Sequence, residues 1–505
     1  MGYKEDAKEL VLGLDQKMGP SSYDIGWMAR LTNSANKDHW ADLLDWLLEN
    51  QRPDGSWGGE VVYYHDRIIC TLVAAIALRE SGRRQRDLVA IKRAENYLWH
   101  HLHLLRRDPF ELVGFELIFP TLLIEAASLG LDVPTHTCGY GEIQAAKLSL
   151  IPQSLLYSPN ISTVHSLEFL GRAGDVKQLK DALAVNGSLG NSPAATAYYL
   201  LLCPGDERAL GYLNSVRANL KQVIYLYPFR NFELSWVLNN LSFCDLPLKN
   251  FATRETLDTL NAAISSTGIG LDSTFNIVDG DITAVSSRLL INAGYDIDPN
   301  ILHQFENPKT HIFRTYEYER NISVGTNIHA LEALRSMPDY PNRSETQEQL
   351  RTALLTRRIY DVYWIDKWHA SPYYGTLHAL VGLLKDGPAM LDACAQTAEW
   401  IMHTQRSDGS WGFFPESTAE ETAYALTALL YYHRYKPINL DILHRAAAYL
   451  AYAYLPYHYN KTNMVYPELW IGKCLYAPYD VIRSAILAAL ILYNETFGTS
   501  TYSSP

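Results

Sequence analysis

Two carboxylates, Asp279 and Asp281, flank a glycine in the run NIVDGDITAV (276–285), where almost nothing else is polar. Such a pair has three chemical uses: a metal site, a helix cap, or an acid that hands over a proton. Hard cations gather about six oxygen ligands or more, and neither further ligands nor EF-hand spacing follows this pair. Capping of a helix by Asp281 is the structural reading. Proton delivery is the catalytic one.

The elements that must position such an acid read as helices. WLLENQRPDGSWG (46–58) returns as WIMHTQRSDGSWG (400–412), and the core QRxDGSWG differs only at its third position. Each copy follows an amphipathic helix, turns at Asp-Gly and leads toward another helix. The glutamine can bond backbone at the helix end while the tryptophan packs across the turn. Elsewhere helix, short loop and helix alternate, as in ELIFPTLLIEAASLGL, LHALVGLLKD and DVIRSAILAALILYN. Repeated helical hairpins without a low-complexity linker suggest closed helical barrels or a solenoid.

Composition narrows the partners. A length of 505 residues implies two or three domains. The net charge of −12 argues against nucleic acid and anionic membrane surfaces. The six cysteines lack CxxC spacing, as expected of buried thiols in a reducing compartment. The N-terminus places charges where a signal peptide needs an apolar core, and no apolar run is long enough to anchor stably in a membrane. A cytoplasmic location is expected. Aromatic residues make up 12% of the chain, enough to line a large cavity.

The paired turns are similar to the QW motif of class II terpene cyclases, and DGDITA resembles their DxDD-type acid motif. SSYDIGWMARL (21–31) resembles the opening of the diterpene cyclases. Further matches run in family order through HDRIICTL (65–72), VHSLE (164–168), NGSLGNSPAATA (186–197), ERNISVGTNIHALEAL (319–334), DKWHASPYYGTLH (366–378), STAEETAYALTAL (417–429) and ELWIGKCLYAPYDVIRSAILAAL (468–490). They span nearly the whole chain and fit the labdane-type bicyclic diphosphate synthases, including halimadienyl and copalyl diphosphate enzymes.

The resemblance implies an all-α fold of two α/α-barrel domains in the βγ arrangement. Residues 1–20 would give a helix of the β domain, 21–250 the inserted γ domain and 251–505 the rest of β, with the substrate cavity between them. Asp281 would protonate the terminal alkene of a polyprenyl chain, a task for a carboxylic acid that stays un-ionised near neutrality. Burial among aromatics and the neighbouring Asp279 both favour that form. Ile282 departs from the motif, standing where the family has Asp or Thr, and removes one tuning group. Trp368, Tyr373 and Tyr374 are candidates to face the cation, or else ordinary core aromatics.

The family's terminating base is implied at His165, which reads equally as a core histidine. Tyr225, in YLYP (225–228), replaces the asparagine that pairs with that histidine in plant enzymes, so the plant product does not carry over. Lys367, Arg320 and Lys473 are the implied diphosphate contacts. Mg2+ would accompany the diphosphate through acidic residues near the first tryptophan turn, where Glu60 and Asp66 lie. No Asp-Asp dipeptide exists, so the DDxxD motif that ionises a diphosphate is missing and the product should keep its own.

The implied reaction is cyclisation of geranylgeranyl diphosphate to a bicyclic labdane, halimane or clerodane diphosphate, which a downstream class I synthase or phosphatase would consume. The alternatives are a drimane-forming cyclase of farnesyl diphosphate and a silent helical-barrel binding protein.

Overall fold

The computed structural model describes residues 2–33, 40–82, 84–220, 222–275, 277–460 and 465–498. Two closed rings of helices organise the chain. In the first, Ser22–Ala29 packs on Tyr64–Ser81, then come Phe115–Ser128, the 3-10 segment Ser162–Ala173 and Pro193–Leu202, which returns to Ser22–Ala29. The second runs through Arg230–Ser242, Gly280–Asn292, Val324–Arg335, Pro372–Leu384, Ala419–His433 and Tyr479–Phe497, which closes on Arg230–Ser242. The N-terminal helix Tyr3–Leu12 lies against Tyr479–Phe497 and Arg230–Ser242. The fold is all-α, built of α/α barrels.

Inner and outer helices differ because they bury different fractions of their surface. Every residue of Pro372–Leu384 is buried, and its sequence is apolar or small on all sides. The outer helix Arg254–Ala262 buries only Leu257 and Leu260 and is polar elsewhere. Six of the inner helices start where a short polar side chain accepts from the first turn. Ser21, Ser192, Asp279, Ser323, Ser371 and Thr418 all cap in this way.

The two QRxDGSWG turns superimpose in their bonding. The Trp57 and Trp411 indoles each donate at 2.7 Å, to the carbonyls of Leu47 and Ile401. Gln51 bonds Gly55 and Ala90, as Gln405 bonds Gly409 and Ile442. Gly55 and Gly409 take φ of +94° and +90°, and a Cβ at either would press into the backbone of Arg93 or Arg445. The sequence shows two such turns, but a threonine hydroxyl braces five. Thr71, Thr196, Thr283, Thr376 and Thr422, each on an inner helix, accept from the backbone N–H of Trp57, Leu189, Ile269, Trp364 and Trp411. Trp364 even repeats the indole bond, 2.8 Å to Leu354, without the motif around it.

A short hairpin of two-residue strands adds an element that the helical periodicity does not signal. Trp470–Ile471 pairs antiparallel with Leu475–Tyr476, and this brings Trp470 and Tyr476 to one cavity. The cysteines are free among the described residues, but Cys138 is exposed and Cys203 half-buried. Among the described residues no helix is long and apolar enough to cross a membrane.

Candidate active site

The cavity is walled by both rings and by the hairpin. At its acid end Asp279, not Asp281, caps the helix Gly280–Asn292. Its Oδ1 accepts the N–H groups of Asp281 and Ile282 at 2.8 and 2.9 Å. That frees Asp281 in the first turn for another partner. Nδ1 of His329 lies 2.5 Å from Asp281 Oδ1, and Nε2 of His329 lies 3.1 Å from Nδ1 of His378. All are buried. Because His329 occupies Oδ1, the second oxygen is the one Asp281 can turn to the cavity it lines. Burial, and then the charge of Asp281, push the Asp279 carboxyl up to about 7, against hydrogen bonds from Tyr316 and the backbone. Asp279 is therefore about half-protonated at pH 7. Ile282 contributes apolar wall.

Farther along the cavity His165 and Tyr225 meet, the tyrosine standing where the resemblance implies an asparagine. Nδ1 of His165 donates to the Gly190 carbonyl at 2.7 Å, which fixes the tautomer. The Tyr225 hydroxyl then donates to Nε2 at 2.9 Å. Burial, then the charge of Lys473, lower the imidazole to about 3, so it is neutral and its lone pair is available. Tyr225 thus reaches His165 directly. Gly472 makes room for it: a Cβ there would sit 2.4 Å from the Tyr225 ring.

Aromatic rings connect the two ends. The Trp236 ring stands edge-on to His329 at 5.8 Å, and Phe232 lies 4.8 Å from Trp236. Trp470 follows at 5.7 Å from Phe232, then Tyr476 at 6.3 Å and Tyr225 at 5.1 Å from Tyr476. Such a wall offers ring faces and no strong nucleophile to a passing cation.

The more exposed end of the cavity is charged. Lys367 binds Glu319 at 2.5 Å, Arg320 binds Glu111 at 3.0 Å, and Lys147 bonds the Tyr318 carbonyl. All three cations line the cavity. Trp368 belongs here as well, under the Lys367 ammonium at 4.7 Å, and is set apart from the aromatic wall.

Several expected residues are placed elsewhere. Lys473 is fully buried and does not reach the cavity, because its ammonium is held by Glu168, Ser192 and the His165 carbonyl at 2.6, 2.6 and 2.7 Å. Tyr373 faces outward from the barrel axis, bonding Thr404 and stacking on Trp400. Tyr374 stands behind the wall, its hydroxyl accepting from the Trp236 indole at 3.1 Å. Glu60 and Asp66 do not fit a metal site. Asp66 is buried with both oxygens accepting, from Gly59 and Leu475, while Glu60 is exposed. Among the described residues no group of three or more His, Cys, Asp or Glu could hold a metal ion.

His329, Trp236, Trp470, Phe232, Tyr476 and Lys147 join the site only through the fold. His329 and Trp470 lie inside the family-like stretches NIHALEAL and ELWIGK, but nothing local marks which residue of a stretch faces the cavity.

No family model matches the chain. It is 35% identical to the type B diterpene cyclase of Mycobacterium tuberculosis, over 96% of this chain and 97% of that protein. It is 31% identical to an ent-copalyl diphosphate synthase of Streptomyces, over 88% of this chain and 87% of that protein. The (+)-kolavenyl diphosphate synthase of Herpetosiphon aurantiacus is 28% identical over 96% of both chains. Among solved structures, the ent-copalyl diphosphate synthase of Streptomyces platensis matches with a TM-score of 0.78 at 29% identity, covering 98% of this chain and 100% of that one.

Proposed function

The chain belongs to the class II terpene cyclases, and from that premise we propose that it cyclises geranylgeranyl diphosphate to a bicyclic diterpenyl diphosphate. The terminal alkene takes a proton from Asp281, whose second oxygen faces the cavity while His329 holds the first. The electron pair of that alkene forms the new C–H bond, and successive alkenes close the rings as the cation passes along the aromatic wall. The cascade ends when a C–H bond beside the cation breaks, its electron pair becoming a ring alkene and its proton going to the Tyr225–His165 pair. No diphosphate bond is cut, and the product is an isomer of the substrate.

The mouth cations Lys367, Arg320 and Lys147 suit the diphosphate, which would displace the Glu319 and Glu111 carboxylates from them. Mg2+ fits this reading only as the counter-ion that the diphosphate brings, because both oxygens of Asp66 are committed to backbone N–H groups and Glu60 is exposed. We place the first barrel at 21–229 and the second from Arg230 onward together with 1–20, in the cytoplasm. A product that keeps its diphosphate requires a later reaction that ionises or hydrolyses it.

One observation carries this reading: a buried acid held by a histidine, in an aromatic cavity that Lys367, Arg320 and Lys147 also line. Incubation with geranylgeranyl and farnesyl diphosphates, then dephosphorylation and mass spectrometry, tests it. Conversion of the twenty-carbon substrate to a bicyclic alcohol is the expected result. Conversion of the fifteen-carbon substrate alone would replace the reading with a drimane-type cyclase, and conversion of neither would overturn it.

A further inference from the structure

A carboxylate stands directly behind the middle of the aromatic wall. Glu420 is 2% exposed and does not line the cavity. Its Oε1 accepts the Trp470 indole N–H at 2.8 Å, the Tyr424 hydroxyl at 2.8 Å and Nε2 of His369 at 3.3 Å. His369 Nδ1 lies 3.1 Å from both the N–H and the carbonyl of Ser371, and its Nε2 is turned to Glu420. Oε2 has no partner among the described residues. Glu421, next in sequence, is different: Ser371, Thr418 and the Phe413 N–H occupy it as a structural anchor. Three donors converging on one oxygen suit a carboxylate, which accepts without donating.

Resting on the cyclase reading, we infer that Glu420 is an electrostatic positioning residue that stabilises the migrating cation through Trp470. The chemistry explains its placement. A carboxylate inside the cavity would capture the cation or take its proton early. Placed behind an indole, it supplies its field through a low-dielectric wall while the ring blocks bond formation. Its hydrogen bond to the indole N–H also polarises the ring, making the face toward the cavity more negative. Trp470 is central in the wall, between Phe232 and Tyr476, so the charge serves the cation after it leaves Asp281 and before it reaches Tyr225.

The test is Glu420→Gln, which keeps an acceptor for the indole and removes the charge. Two bicyclic diphosphate analogues serve as probes, one with a ring ammonium in place of the cationic carbon and one its uncharged carbon isostere. The variant should bind the ammonium analogue about tenfold more weakly and the isostere unchanged, the size expected for a desolvated cation–π contact. With substrate, kcat should fall by a similar factor at constant KM, because the contact acts only on the developing charge. Glu420→Asp should restore part of both effects. Equal weakening of both analogues would mark Glu420 as a shape-holding residue, and no weakening of either would likewise overturn the inference. A wild-type enzyme that consumes no prenyl diphosphate would remove the cyclase reading instead.

Discussion

His329 Nδ1 lies 2.5 Å from Asp281 Oδ1, and this contact assigns different work to the two aspartates of one short motif. Asp279 faces the backbone and caps the helix. Asp281 is held from behind by an imidazole and lines the cavity.

Asp281→Asn should abolish cyclisation while the protein stays folded, since the amide is nearly isosteric but carries no acidic proton. His329→Ala should lower kcat by about 100-fold, the scale of losing one oriented group in proton transfer, with little change in KM. Single-turnover conversion of geranylgeranyl diphosphate measures both. Activity above a few per cent in Asp281→Asn would remove it as the donor.

Asp279 gives a pH prediction of definite sign. Its pKa rises from an ordinary 3.8 in the unfolded chain to about 7 in the folded protein, so the stability it contributes is complete below 3.8 and is lost as pH rises through about 7. Asp279→Asn keeps an acceptor for the cap and has no such loss. Its melting temperature relative to wild type should climb between pH 4 and 8 and then level off. A flat difference across that range would show that Asp279 is not the titrating group.

Lys367→Gln should raise KM about tenfold with a smaller effect on kcat, because it removes one charge-assisted contact made equally before and during reaction. No inorganic diphosphate should appear during turnover in either protein. A phosphate-release assay alongside initial rates settles both, and stoichiometric release would contradict retention of the diphosphate.

At the terminating end, His165→Ala and Tyr225→Phe should consume substrate at modestly reduced rates but yield hydroxylated or further-rearranged diphosphates. Water can enter beside the cation once either member is gone. Gly472→Ala should shift products the same way by pushing on the Tyr225 ring. Product profiles are to be read beside melting curves. Unchanged products in stable variants would remove the pair from the mechanism.

Much of this is legible in the chain because it is coded locally. Apolar runs such as those of Pro372–Leu384 and Tyr479–Phe497 announce inner helices, since a helix enclosed on all sides has no polar face to show. DGSWG announces its turn because one glycine must take positive φ there. The acid motif is legible as two carboxylates in apolar surroundings.

The division of labour at the site is not legible, for a physical reason. Asp281 meets His329 across 48 residues, Glu420 meets Trp470 across 50, and His165 meets Tyr225 across 60. None of these pairs shares a helix or turn, so periodicity and spacing carry no record of them. The same limit explains Lys473 and Tyr373, basic and aromatic residues in the right motifs that barrel closure turned away from the cavity. Residue types and local codes determined the helices, the turns and the presence of an acid. Which side chains face one another was decided only when the rings closed, because burial then forced each remaining polar group to find its partner.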